Sequence, residues 1–138
     1  MISFARMFQA GVGSLLLMAA ALHFNPAHAD DGFPFGAEMT LDVNRQPGSK
    51  RIPNLEIGDR VEVILELWCK GGKGQFSVAG NTVIFVAGAM ENRPCPPDRA
   101  QADDEFIAAL TDVGTWKRQD DLVTFVGAKT LRFRINTN

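Results

Sequence analysis

Residues 61–68, VEVILELW, set Val61, Val63, Leu65 and Leu67 on one face and Glu62 and Glu66 on the other. A period of two marks a strand with one buried face. Gly71-Gly72-Lys73-Gly74 follows, a run that tolerates positive φ and is predicted to turn the chain. Residues 75–79 read as a second strand. Gly80-Asn81 is a two-residue hairpin signal, and TVIFVA, residues 82–87, reads as a third strand. The pattern predicts a three-stranded meander. Upstream, residues 36–43 alternate Met39, Leu41 and Val43 with polar neighbours and predict an early strand. Residues 44–59, interrupted by Pro47-Gly48 and Pro53, read as a loop.

Past residue 95 the period changes. Pro96-Pro97 does not fit a strand centre. Asp98 is placed to cap a helix, with Gln101 three residues later in a box-like arrangement. Ala102, Phe106, Leu110 and Val113 recur at helical spacing, and Gly114 suits the position after the helix end. Asp103, Asp104 and Glu105 resemble a catalytic acid cluster, but acids early in a helix favour its dipole and are expected to face water. Trp116 begins a further strand, Gln119-Asp120-Asp121 turns it, and Leu122 to Val126 returns. After a turn over 127–130, LRFRI sets Leu131, Phe133 and Ile135 on one face.

The first 29 residues follow a different logic. Arg6 precedes an uncharged apolar run from Ala10 to Leu22, Pro26 breaks it, and Ala27-His28-Ala29 puts small residues before Asp30. A charged start, a short apolar core and an A-x-A end make a secretory signal peptide. The run is shorter than the roughly 20 residues a membrane helix needs. Residues 30–138 are then one domain, expected in a bacterial periplasm or secreted. Of 14 Lys and Arg and 16 Asp and Glu, only Arg6 falls in the first 29 residues, so 13 basic face 16 acidic side chains, a net of −3. A mildly acidic chain without a basic tract is not built for nucleic acid.

The inventory of residues 30–138 excludes whole classes of chemistry. Both histidines, His23 and His28, lie in the signal segment, and tyrosine is absent. No Ser-His-Asp or Cys-His nucleophile can be assembled from what remains. Two cysteines without histidine do not make a zinc site, so no metal or cofactor is expected. A phosphate loop, G-x-x-x-x-G-K-[ST], fails as well. Leu67 stands where the first glycine belongs, Gly74 where Ser or Thr belongs, and a strand pattern follows instead of a helix.

Geometry pairs the cysteines. The first and third strands of a meander run the same way, about 10 Å apart. Cys69 ends the first, and residues 89–95 reach up to about 23 Å, enough to carry Cys95 back to it. In an oxidising compartment such thiols pair. The closed loop of 27 residues constrains the unfolded chain by about 3.5 kcal/mol. The same argument gathers Lys70, Lys73, Arg93 and Arg99 around the bridge as a candidate site for an anionic lipid headgroup or glycan.

A strand ending in Cys69, a hairpin with Gly74, Met90 then Cys95, a helix with Phe106 and Leu110, a Trp116 strand and a Leu131-x-Phe133 strand together resemble the META domain, or HslJ-like, family. The likeness covers residues 61–135 well and 33–60 loosely. It departs at Trp68-Cys69-Lys70, where the family has Gly-Cys-Asn, and at Gly88-Ala89-Met90, where it has Thr-x-Met. The resemblance implies a mainly β (α+β) domain: a small, strongly curved, antiparallel, barrel-like sheet with one packed helix. It also implies an envelope protein linked to stress or drug tolerance, without an established enzyme activity. The expectation is a monomeric, non-catalytic protein that binds an envelope partner. The alternative is a small-ligand carrier using the barrel interior, which fails if Phe76, Phe85, Trp116, Phe125 and Phe133 fill that interior.

Overall fold

The computed structural model describes residues 32–137; the export signal read at residues 1–29 lies outside them. In that span the chain runs β1 (Glu38–Leu41), β2 (Asn54–Ile57), β3 (Glu62–Glu66), β4 (Gly71–Ala79), β5 (Thr82–Met90), α1 (Pro97–Thr111), β6 (Thr115–Gln119), β7 (Leu122–Val126) and β8 (Thr130–Ile135). Each strand pairs antiparallel with the next, and β1 pairs with β8, so the sheet closes into an eight-stranded barrel. None of the helices among the described residues is long and apolar enough to cross a membrane.

The period-two pattern decides what lies inside. Met39, Leu55, Ile57, Val63, Leu65, Val83, Val123 and Phe133 point inward and are almost wholly buried, while their chain neighbours Glu38, Glu56, Glu62 and Ile64 face out. The centre is a column of aromatic rings. Phe76 stacks on Phe125 at 5.3 Å between centroids, and Phe125 meets Phe133 edge-on at 5.8 Å. Phe33 and Trp116 continue the column at one end, and Phe106 of α1 continues it at the other. The strand pairing is thinnest between β5 and β6, a single pair at Thr82 and Thr115. The helix packs on β5 and β8, adding Phe106 and Leu110 to the core.

Several local expectations give way to longer-range forces. Residues 44–59 are not all loop: β2 forms after Pro53, because Leu55 and Ile57 find the interior between β1 and β3. Val61 lies outside β3, with φ at 60°, at the corner that leads into the strand. Asp98 and Gln101 form no capping box. Pro96 is the N-cap without a side-chain hydrogen bond, and Gln101 Nε2 donates to Glu105 Oε1 instead. At the other end Asp112 is the C-cap, ahead of Gly114.

The largest correction concerns the glycine run. Gly71 to Gly74 do not turn the chain; they open β4, paired with β3 from Glu66↔Gly71 to Val63↔Gly74. The turn is Leu67–Lys70, where the Leu67 N–H donates to the Lys70 carbonyl at 2.8 Å. These glycines serve close approach. A Cβ on Gly74 would sit 2.5 Å from two ring carbons of Phe85 and 3.0 Å from the Val86 carbonyl. Gly74→Ala is therefore expected to lower the unfolding free energy in urea by about 1–3 kcal/mol through overpacking. Had Gly74 been a slack position of ordinary φ, the same change would raise it by about 0.4–1 kcal/mol. The sign separates the two cases.

Candidate functional site

One end of the barrel carries a dense polar assembly around the turn Leu67–Lys70. Its anchor is Asp103, a residue with no exposed surface on the inner side of α1. The Asp103 carboxylate accepts three backbone hydrogen bonds from the turn: Trp68 N–H at 2.8 Å, Cys69 N–H at 3.0 Å and Lys70 N–H at 2.7 Å. The expectation that all three acids of 103–105 face water is corrected here. Asp104 and Glu105 do, but Asp103 turns in because three adjacent N–H groups at a tight turn need an acceptor away from solvent.

The covalent tie lies beside it. Cys69 and Cys95 are bonded, with their Cα atoms 5.9 Å apart, which joins the turn to the segment that leads from β5 into α1. Arg93 lies on that segment. Its guanidinium forks onto Glu66, Nη1 to Oε2 at 3.0 Å and Nη2 to Oε1 at 3.2 Å, while Nε donates to Glu91 at 2.6 Å. Arg51, from the loop before β2, donates to the same Glu66 oxygen at 3.0 Å. On the facing side Arg99, in the first turns of α1, donates to the Gly48 carbonyl at 3.1 Å. Ser49 is buried, and its hydroxyl donates to the Arg51 carbonyl at 2.9 Å, fixing the loop that carries Lys50 and Arg51.

These pieces enclose an open depression of about 600 Å³ lined by Gly48, Lys50, Arg51, Trp68, Cys69, Arg93, Pro94 and Arg99. Of the cations read from the sequence, Arg93 and Arg99 line it. Lys70 and Lys73 do not: Lys70 Nζ pairs with Asp104 at 3.0 Å, and Lys73 stands exposed on β4 opposite Ile64. Lys50 and Arg51 take their places, and the sequence reading missed both because the loop 44–59 carries no period that would aim them. For Asp103 a signal existed. It lies three residues before Phe106 and seven before Leu110, an acid on the apolar face of the helix.

The charges are unequal in their commitments. Hydrogen bonding from Arg93 holds the Glu66 carboxyl below its ordinary value of 4.5; partial burial opposes this, and the charges of Arg93 and Arg51 reinforce it. Glu66 and Glu91 in turn hold the Arg93 guanidinium more firmly protonated than usual. Among the described residues, Lys50 and Arg99 have no carboxylate partner. Because its pKa is lowered on folding, Glu66 stabilises the fold above pH 4.5 and loses that contribution as pH falls through its folded value. Glu66→Gln is thus expected to cost under about 1 kcal/mol at pH 7, given the exposure of the pair. The difference from the parent should fade in urea titrations carried below pH 4.5.

The META domain family model matches residues 37–136. An NMR structure of a protein from Burkholderia xenovorans shares the fold with a TM-score of 0.62 at 14% identity, covering 75% of this chain and 84% of that one. A second protein structure solved by NMR has a TM-score of 0.55 at 15% identity, covering 72% of this chain and 89% of that one. No curated protein matches the chain.

Proposed function

The chain belongs to the META domain family, and from that premise we propose that it is a non-catalytic domain of the bacterial envelope which docks an oxyanion-bearing envelope component, a lipid headgroup or an acidic glycan, in the depression beside the disulfide. The observation that carries this reading is the convergence of Lys50, Arg51, Arg93 and Arg99 from three separate segments on one concave surface. Glu66 and Glu91 account for Arg51 and Arg93, which leaves Lys50 and Arg99 on that surface for an incoming anion to meet. Lys50, and Arg99 held only by the Gly48 carbonyl, supply attraction, and the Glu66-bound guanidinium groups supply a rigid frame. The signal sequence and the disulfide support a site of action outside the cytoplasm. Stress or drug tolerance is the setting that the family resemblance implies. Against the carrier alternative stands the ring column of Phe76, Phe85, Phe125 and Phe133 in the barrel interior, with the partly buried Trp116 at one end.

The test is Lys50→Glu with Arg99→Glu, compared with the parent for binding to phosphatidylglycerol vesicles, to an acidic polysaccharide and to inorganic phosphate at two salt concentrations. Salt-sensitive binding by the parent and its loss in the variant are expected, with Lys73→Glu leaving it unchanged. Binding that ignores both salt and the double reversal would sink the reading.

A further inference from the structure

The disulfide meets the wall of the depression through Cys69. Cys69 lines the depression, whereas Cys95 is not among its lining residues; both are partly exposed. The buried Asp103 carboxylate of α1 takes the Cys69 N–H at 3.0 Å and so fixes the backbone that carries this sulfur. Cys95 directly precedes Pro96, the N-cap of α1, on the segment that leads into the helix. A reagent entering the depression therefore meets Cys69 Sγ, and Cys95 Sγ is the sulfur it displaces.

We infer that Cys69–Cys95 is a thiol–disulfide exchange centre selective for small acidic thiols. The inference rests on the cationic depression proposed above. An anionic thiolate, drawn in by Lys50 and Arg99, attacks Cys69 Sγ. A sulfur–sulfur bond forms between reagent and Cys69, the Cys69–Cys95 bond breaks, and its electron pair leaves on Cys95 Sγ as a thiolate. A second thiolate then attacks the reagent sulfur of the mixed disulfide, releasing the oxidised thiol dimer and Cys69, which takes a proton from water. Two thiols are oxidised and one protein disulfide is reduced; in the reverse direction, an acidic disulfide reoxidises the protein. The three hydrogen bonds to Asp103 hold the turn in place while the covalent bond is open.

The experiment uses the oxidised protein lacking residues 1–29. Reduction by mercaptoethanesulfonate is compared with reduction by cysteamine, each rate expressed per thiolate. The anionic thiol is expected to react about tenfold faster or more at low salt, and the advantage to collapse toward unity near about 0.5 M salt. Lys50→Gln with Arg99→Gln should remove most of the advantage, and Lys73→Gln none of it. Acid trapping followed by mass spectrometry should find the reagent on Cys69 and the free thiol on Cys95. Equal rates for the two thiols, a ratio that ignores salt, or an adduct on Cys95 would each overturn the inference. A phosphate titration of the same protein separates the two proposals. Phosphate binding without thiol selectivity refutes the exchange centre alone, and loss of both refutes the cationic site beneath them.

Discussion

Asp103→Ala is expected to lower the free energy of unfolding by about 3–5 kcal/mol, the largest effect of any single polar substitution in this domain. Hydrogen bonds to a charged acceptor are worth about 1.5–3 kcal/mol each, and buried donors left without an acceptor cost about 1–3 kcal/mol. Three such donors lose their partner at once, at Trp68, Cys69 and Lys70. The three are not additive, since the turn can relax toward water, and this brings the total down to the stated range. Asp103→Asn keeps one oxygen and should fall between the parent and alanine. Asp104→Ala is the control. Its carboxylate is 67% exposed and pairs with Lys70 across the surface, so its removal should cost under about 1 kcal/mol. Urea unfolding of the three variants, read by linear extrapolation, measures the series. A loss at Asp103 no larger than the loss at Asp104 would show that the carboxylate does not anchor the turn.

Removing the disulfide should come next in size. Cys69→Ala with Cys95→Ala opens a loop whose ends are 26 residues apart, which is expected to cost about 2–4 kcal/mol on the chain-entropy account. The paired alanines leave no lone thiol to form other bridges. Asp103 and the disulfide hold the same turn by independent means, so the two losses should couple. With the bridge gone Asp103 still holds the turn, but more loosely, so Asp103→Ala then removes less than it does in the parent. The triple variant should fall short of the summed losses by more than about 0.5 kcal/mol, as expected for groups that share a structural unit. Strict additivity would mean that bridge and carboxylate stabilise separate parts of the molecule.

The sequence by itself determined seven of the eight strands and the helix, because each of these is written in a local period. Val63, Leu65, Phe76, Val83, Phe85, Val123, Phe125 and Phe133 could be assigned to a buried face from alternation alone, and Phe106 and Leu110 from helical spacing. The cysteine pair was legible too, since a meander fixes which strand ends lie together. Tertiary structure decided whatever depended on partners distant along the chain. Barrel closure needs β1 beside β8, and β2 exists only because both its neighbours are already in place. A glycine needed for positive φ and a glycine needed for lack of a side chain are the same letter. Only the Phe85 ring against Gly74 shows which role applies. The acids and cations divide for the same reason. Asp103 is buried because three N–H groups lie 33 to 35 residues away, while Lys70 leaves the depression because Asp104, 34 residues on, takes its charge. A local pattern records the burial that a residue needs. Which donor or charge meets it is settled when the chain closes.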